Sequence, residues 1–452
     1  MTPSVLDDLR AALGPALSTD PADLEPARSD KSGHISVGAP LAFVAARNTE
    51  DVQATLRIAS AHGVPVVPRG AGTGLAGGAS AGPGEIVLST LSMNRILEIS
   101  AADELAVVEP GVINGELNAI LAEQGLWFAP DPASRAISSV GGNIATNAGG
   151  LLCAKYGVTR EAVLGLKVVL ADGRLLSLGH RSVKGVTGLD LTALMIGSEG
   201  TLGVIVEATV RLRPQVAGVA TIGAYFPDVV AAAAASAAIT AARIRPAAME
   251  LLDAASLAAI GAHLGLDLAS RGNSYLLVQT DGEGRADEAA TAMRIIRGLG
   301  GDAELTTDPV EAERLLAIRR SFHPALTAIG SVLIEDVAVP RSALPDMFAA
   351  ITEIEAKYGM SIPTVAHAGD GNLHPNFFYD GVSVPPEVWA AADEVFLTAL
   401  RLGGTLTGEH GVGILKRRWI GQELGSDQLE LQRQLKRVFD PAGILNPGKV
   451  FA

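Results

Sequence analysis

The chain has 452 residues, 48% hydrophobic and 19% charged, which is material for the cores of about two or three domains. Its formal charge of −14 argues against nucleic acid as a partner, since a phosphate backbone is normally met by a basic face, so any bound anion must be held by a local site. A single cysteine, Cys153, excludes an internal disulfide framework and a cysteine-rich zinc module, and reads as a buried, inert thiol in a reducing compartment.

The N-terminal MTPSVLDDLRAALGPALS carries acids where a secretory signal needs an apolar core, so it reads as an amphipathic helix and implies no export. From about residue 40 to 215, short β-branched runs are separated by glycine clusters, as in VPVVPRGAGTGLAGG and GTLGVIVEATVRL. This predicts a strand-rich, loop-bound domain with few helices. After Pro214, strands alternate with long helical segments to about residue 400, which predicts a second, α+β domain. Its most apolar run, VVAAAAASAAITAA (229–242), is shorter than the ~20 residues of a membrane span and is built of alanine, so a packed helix is expected. The end of the chain holds GEHGVGILKRRW (408–419), a polar helix over 426–438, and FDPAGILNPGKVF (439–451). The basic triplet at 416–418 reads as solvated surface.

Three glycine runs in the first domain point to a cofactor. GTGLAG (72–77) follows an apolar strand and matches the dinucleotide pattern G-x-G-x-x-G, yet the glycines and proline after it cannot open the helix that a Rossmann loop requires. A nest of backbone N–H groups holding a pyrophosphate without a helix dipole is the better reading. SSVGGNIATNAGG (138–150) and GSEGTLG (197–203) repeat the vocabulary. Plain hairpin turns remain the bland alternative.

HAGDGNLH (367–374) suggests a second centre. If Asp370 and Gly371 form a two-residue hairpin turn, His367 sits directly opposite His374, with Cβ atoms ~5 Å apart, and Asn376 shares their face. Two converging imidazoles suit a metal ion. Glu409 in GEHG offers a third ligand, leaving positions open for substrate; zinc is the default, with manganese, iron(II) or cobalt as alternatives. His410 would be a natural general base. Arg319, or its neighbour Arg320, could grip a carboxylate in a bidentate fork, against the alternative of a solvated helix face.

The segments PRGAGTGLAGGA, VGGNIATNAGG, GSEGTLGVI, HAGDGNLHPN, GEHGVG and FDPAGILNPGK occur in this order and span nearly the whole chain. Together they resemble the FAD-linked 2-hydroxyacid dehydrogenases, which include glycolate oxidase flavoprotein subunits, D-lactate dehydrogenases and D-2-hydroxyglutarate dehydrogenases. The resemblance implies an α+β protein with a vanillyl-alcohol oxidase (PCMH-type) FAD-binding domain over residues 1–215. It further implies a cap domain with an antiparallel sheet and the metal-site hairpin over 216–400, and a segment, 401–452, returning to the FAD domain. Pro68, Arg69, Gly70, Gly72, Thr73, Gly74 and Gly78 would wrap the FAD pyrophosphate. Thr73 and Gly74 stand where covalent relatives carry a histidine, so dissociable FAD is expected. Pro132, Gly141, Gly142, Asn147, Gly150, Glu199, Gly200, Gly203, Ile205 and Asn446 are expected around the cofactor. By the same resemblance His367, His374 and Glu409 are metal ligands, His410 is the base and Arg319 holds the substrate carboxylate; Asn376, on the face of the two histidines, is expected beside the substrate. Where D-2-hydroxyglutarate dehydrogenases carry a lysine for the distal carboxylate, this chain has Ile334, which favours a small or apolar substituent.

The expected reaction is oxidation of a D-2-hydroxy acid, such as D-lactate or glycolate, to the 2-oxo acid by hydride transfer to flavin N5. The alternatives are a D-2-hydroxyglutarate dehydrogenase, a non-catalytic flavoprotein subunit of a multi-subunit oxidase, and a metal-dependent hydrolase, which would leave the glycine runs unexplained. Electrons would pass to a quinone, an electron-transfer flavoprotein, a cytochrome or an iron–sulfur subunit. A homodimer is compatible with the sequence. The expected location is cytoplasmic, with docking at the inner face of the membrane left open.

Overall fold

The computed structural model describes residues 4–381 and 383–451. The chain divides into two units: one takes residues up to Gly149, then Gly157–Gln215 and the segment from Glu409 onward, and the other takes Gly150–Tyr156 and Val216–Gly408.

In the first unit, helix α1 (Val5–Leu13) starts at a reciprocal cap between Ser4 and Asp7 and buries Leu9 and Leu13. A four-stranded sheet follows in the order β1-β2-β4-β3, with β1 (Leu17–Ser18), β2 (Ala42–Ala45), β3 (Val66–Arg69) and β4 (Ile86–Ser89). Strands β2 and β3 both run parallel to β4, and α2 (Thr49–His62) links β2 to β3. Val52, Leu56 and Ala59 recur at helical spacing on α2 and join Leu9, Val44, Val66 and Ile86 in one core. A five-stranded antiparallel sheet has its own core. Its strands are β5 (Ile96–Ser100), β6 (Leu105–Val108), β7 (Val163–Val169), β8 (Leu175–Gly179) and β9 (Val204–Arg211), in the order β5-β6-β9-β7-β8. Helices α3 (Asn114–Ala122) and α4 (Val140–Thr146) pack Leu117, Leu121 and Ile144 against Val108, Val168 and Val210.

This unit holds more helix than the expected few. The second glycine run is itself α4, started by Ser139, whose Oγ accepts from Gly142 N at 3.3 Å, and ended by Asn147 in the left-handed region. A seven-residue helix rich in glycine and alanine shows no apolar period, so pattern alone misses it.

The second unit is built on an eight-stranded antiparallel sheet. In chain order come β10 (Val219–Phe226), α5 (Val229–Ala241), β11 (Ala248–Leu252), α6 (Ala254–Leu264), β12 (Ser274–Asp281), α7 (Arg285–Gly298), β13 (Asp302–Thr306), α8 (Pro309–Arg320) and α9 (Phe322–Ile329). There follow β14 (Ser331–Ile334), β15 (Val337–Ala338), α10 (Leu344–Tyr358), β16 (Thr364–His367), β17 (Asn372–Tyr379) and α11 (Pro386–Arg401). The strand order is β13-β10-β12-β11-β16-β17-β14, with β15 also paired to β17. Residues of α6, α8 and α9 cover the sheet face that bears Tyr225, Leu252, Tyr275, Leu277 and Val365. Helix α5, the alanine-rich run, packs with α7 and α10 and buries Ala232, Ala233, Ala235 and Ile239. Among the described residues, no helix is long and apolar enough to cross a membrane.

The chain ends in α12 (Ile420–Phe439), kinked at Gly425. The basic triplet before it is solvated only in part, Arg418 being exposed. Lys416 is buried, the Arg417 guanidinium donates to the Gly448 carbonyl, and Arg418 stacks on Trp419 at 3.9 Å. Cys153 is half-buried rather than fully buried.

Candidate functional site

Strands β16 and β17 form the hairpin that carries both histidines, with a register different from the expected one. His367 pairs with Asn372 and Val365 with His374, so the connection is the four residues Ala368 to Gly371 rather than Asp370 and Gly371 alone. The His367 carbonyl accepts from both Asp370 N (3.1 Å) and Gly371 N (3.0 Å), a tight turn that an Asp-Gly signal does not distinguish from a two-residue one. Because the slip is by two, both histidines stay on one face. Their ring centroids lie 5.2 Å apart, edge to face, and both residues are buried.

The neighbouring strand supplies a residue that motif reading did not single out. Glu250 of β11 pairs with His367 across the sheet and is 1% exposed. Its carboxylate accepts from His367 Nδ1 at 2.8 and 2.9 Å and from Arg319 Nε at 2.7 Å. Burial pushes the Glu250 carboxyl up, but the charges and hydrogen bonds of His367 and Arg319 overturn this and hold it below the usual carboxylate range. The signal in the sequence was one acid inside the apolar strand AMELL. Arg319 comes from the last turn of α8, and its two terminal nitrogens have no hydrogen-bond partner among the described residues. Arg320, next to it, pairs with Glu313 at the surface.

His374 has a buried acid nearby as well, with Asp336 Oδ1 at 3.8 Å from its Nδ1. Asp336 accepts from Asn372 Nδ2 and Thr407 Oγ1, both at 2.5 Å. Asn376 shares the face of His374. Its amide nitrogen donates to the carbonyls of His374 (2.7 Å) and Pro363 (3.2 Å), and this orients Oδ1 as a buried acceptor with no partner among the described residues. Ile334 pairs directly with Asn376 and Val332 with Phe378, so an apolar wall continues the same face.

The chain leaves this unit at Gly408, where a Cβ would lie 2.3 Å from Asn372 Nδ2; only glycine passes there. Glu409 is the next residue, and neither it nor His410 belongs to a helix. Within the first unit, Glu409 lies over Gly149, where a Cβ would come 2.5 Å from its carboxylate, and His410 Nε2 is 3.9 Å from Glu409 Oε1. The segment just after them is clamped by Glu199, whose carboxylate accepts from Val412 N (2.7 Å) and Gly413 N (2.8 Å). Burial pushes Glu199 up to about 7 against those two N–H groups and the charge of Lys416.

The three glycine runs and the closing segment converge in the first unit. The loop after β3 has no helix, as its composition implied. A Cβ on Gly70 would strike Ser139 Oγ at 2.5 Å, one on Gly200 would reach Pro68 at 3.0 Å, and one on Gly197 would reach Asn147 at 3.3 Å. Arg69 clasps the first loop through Ala79 O at 2.8 Å. Asn446 donates to Gly78 O (3.0 Å) and Glu199 O (2.8 Å). Gly203 and Ile205, by contrast, pack into the sheet against Val168, Gly141 packs on Pro110, Pro132 begins a turn ending at Arg135, and Gly150 opens the segment grouped with the second unit. The buried Lys449 ammonium donates to Asn446 Oδ1 at 2.8 Å and makes no other hydrogen bond among the described residues. Burial pushes its ammonium down to about 8. A buried cation with spare donors, beside glycine backbones that admit close approach, suits an anionic cofactor.

Comparison with known proteins is decisive here. Residues 215–450 match the family model for the C-terminal domain of FAD linked oxidases, and residues 40–179 match a FAD binding domain. The chain belongs to the FAD-linked oxidases. This FAD-linked oxidoreductase is 42% identical to glycolate oxidase subunit GlcD of Bacillus subtilis, over 91% of this chain and 89% of that one. It is 36% identical to a D-lactate dehydrogenase of Archaeoglobus fulgidus (89% of each chain). It is 35% identical to a D-2-hydroxyglutarate dehydrogenase of Xanthomonas citri pv. viticola (99% and 97%). Among solved structures, p-cresol methylhydroxylase with substrate bound superposes with a TM-score of 0.80 over 99% of this chain and 96% of that one, at 19% identity. The fold of this FAD-linked oxidase is therefore the PCMH type, and FAD is its cofactor.

Proposed function

We propose that this FAD-linked oxidase oxidises a small D-2-hydroxy acid, D-lactate or glycolate in size, to the 2-oxo acid, with a divalent metal held by His367, His374 and Glu409. The observation that carries the reading is one buried sheet face that bears the two imidazoles, the orphaned Asn376 Oδ1 and an apolar wall at Ile334, with Arg319 of α8 anchored to it through Glu250. The donor set fits a divalent ion: two buried imidazoles, one of them oriented through Nδ1 by a carboxylate, and a glutamate one peptide bond past Gly408. Zinc is the first candidate.

Arg319 presents two donors to the substrate carboxylate, and Asn376 Oδ1 accepts from the hydroxyl. A divalent ion, when bound, lowers the pKa of that hydroxyl. His410 takes the hydroxyl proton as the C2–H bond breaks and the carbonyl forms. FAD, held without a covalent link by the glycine loops with Asn446 and Lys449 beside them, would supply N5 as the hydride acceptor. The protein's residues hold C2 in register for that transfer, keep water out and remove one proton. Ile334 beside Asn376 favours a one-carboxylate acid; the D-2-hydroxyglutarate dehydrogenase relative keeps a dicarboxylate as the second reading. The two electrons taken from the substrate would leave to a separate acceptor, and the relative named a subunit suggests a partner chain in that role.

The test is anaerobic flavin reduction across D- and L-2-hydroxy acids, before and after chelation. Bleaching by D-lactate or glycolate, lost with a chelator and restored by zinc, manganese or cobalt, is the expected result. Bleaching that survives chelation, or that occurs only with L-acids, contradicts the proposal.

A further inference from the structure

We propose that Glu250 is a positioning residue shared by the metal and substrate subsites, fixing His367 for metal binding and Arg319 for carboxylate binding through one buried carboxylate. The inference rests on the reading of His367 as a ligand and Arg319 as the substrate cation.

Glu250 is 1% exposed and sits on a central strand directly across from His367, so its backbone has little freedom to move. An ionised carboxylate only accepts. His367 must therefore carry its proton on Nδ1, and the lone pair that serves a metal is on Nε2. The same group accepts from Arg319 through Nε, which leaves both terminal nitrogens of the guanidinium without a hydrogen bond to Glu250. Oε2 serves both donors, at 2.9 Å and 2.7 Å. A glutamine has one acceptor oxygen for these two donors, and its NH2, itself a donor, takes the place of the other oxygen. With the amide oxygen at the Oε2 position the NH2 faces His367 Nδ1 from the Oε1 position, and with the oxygen at Oε1 the NH2 faces Arg319 Nε, so in either orientation one donor is set against another although the volume is the same.

The experiment uses FAD-loaded protein and compares Glu250→Gln with wild type. Cobalt affinity is read by competition against a chelator, with the visible cobalt spectrum reporting histidine ligation, and KM and kcat are measured at saturating metal. The expected result is a roughly 10- to 100-fold loss of cobalt affinity, with KM for the hydroxy acid raised about 10-fold or more as the oriented carboxylate clamp is lost. FAD content stays at the wild-type level. If the lone substitution leaves Arg319 too poorly compensated to fold, Glu250→Leu combined with Arg319→Met removes both charges and leaves His367 Nδ1 without its acceptor, and the cobalt loss must persist in that protein. Cobalt affinity and KM both within about twofold of wild type overturn the proposal. A wild-type protein that binds no cobalt, with His374→Ala indistinguishable from it, overturns the metal reading itself, whereas normal wild-type binding with an unaffected Glu250→Gln overturns only the shared role.

Discussion

His374 and Asn376 stand two residues apart on one strand and do opposite things with their polar atoms. The imidazole belongs to a pair of nitrogen donors, and the amide leaves an acceptor facing the same space. His374→Ala should lower hydroxy acid turnover more than ~100-fold, beyond the effect of losing an outer partner of a ligand, while the protein stays yellow. Flavin absorbance and turnover measured on one preparation check it, and unchanged turnover would favour a flavoprotein that relays electrons without this site. A second residue sets a pH dependence. Burial pushes Asp253, which accepts from Ser256 N and Thr364 N, up to about 7 from 3.8. A raised folded value means that its stabilising share is complete below about pH 4 and is lost as pH rises through about 7. Thermal melts from pH 5 to 8 should show a declining midpoint in the wild type and a flatter profile in Asp253→Asn. Parallel profiles would remove Asp253 as the cause.

At the scale of elements, the hairpin shows how far a local signal reaches. Asp-Gly between extended residues identified a turn, and the alternation of side chains kept both histidines on one face. Register depended on something no dipeptide encodes, the room left by Val339. Gly371 has φ 88°, and a Cβ there would lie 2.1 Å from the Val339 carbonyl oxygen. Gly371→Ala should cost at least about 1–3 kcal/mol, a fall in melting midpoint of roughly 2–10 °C for a unit of this size, and should weaken metal binding because β16 and β17 share that turn. Calorimetry with a cobalt titration checks both. Helix α4 taught the reverse: VGGNIAT lacks apolar periodicity and is helical because Ser139 and Asn147 cap it and Ile144 reaches the core.

At the scale of the molecule, the first unit is assembled from three separated stretches of chain; the glycine runs touch one another directly, and the closing segment comes back to tie the first and third together through Asn446. With Thr73 and Gly74 in place of an attachment histidine, acid precipitation should release the flavin into the supernatant. The flavin-free protein should then melt lower, recovering about 2.7 kcal/mol at FAD concentrations 100-fold above Kd. Colour that stays in the pellet would mean a covalent link. The sequence by itself determined the family, the PCMH-type fold and the residue types of the candidate site, because six spaced motifs constrain backbone geometry and chemistry locally. Only the tertiary structure decided that Glu250 joins His367 to Arg319, that Lys416 is buried, that Asn376 leaves its oxygen unpartnered, and which residues the histidines face. Each of these depends on strands and helices distant in the chain lying side by side, and neither composition nor period records who a residue's neighbours will be.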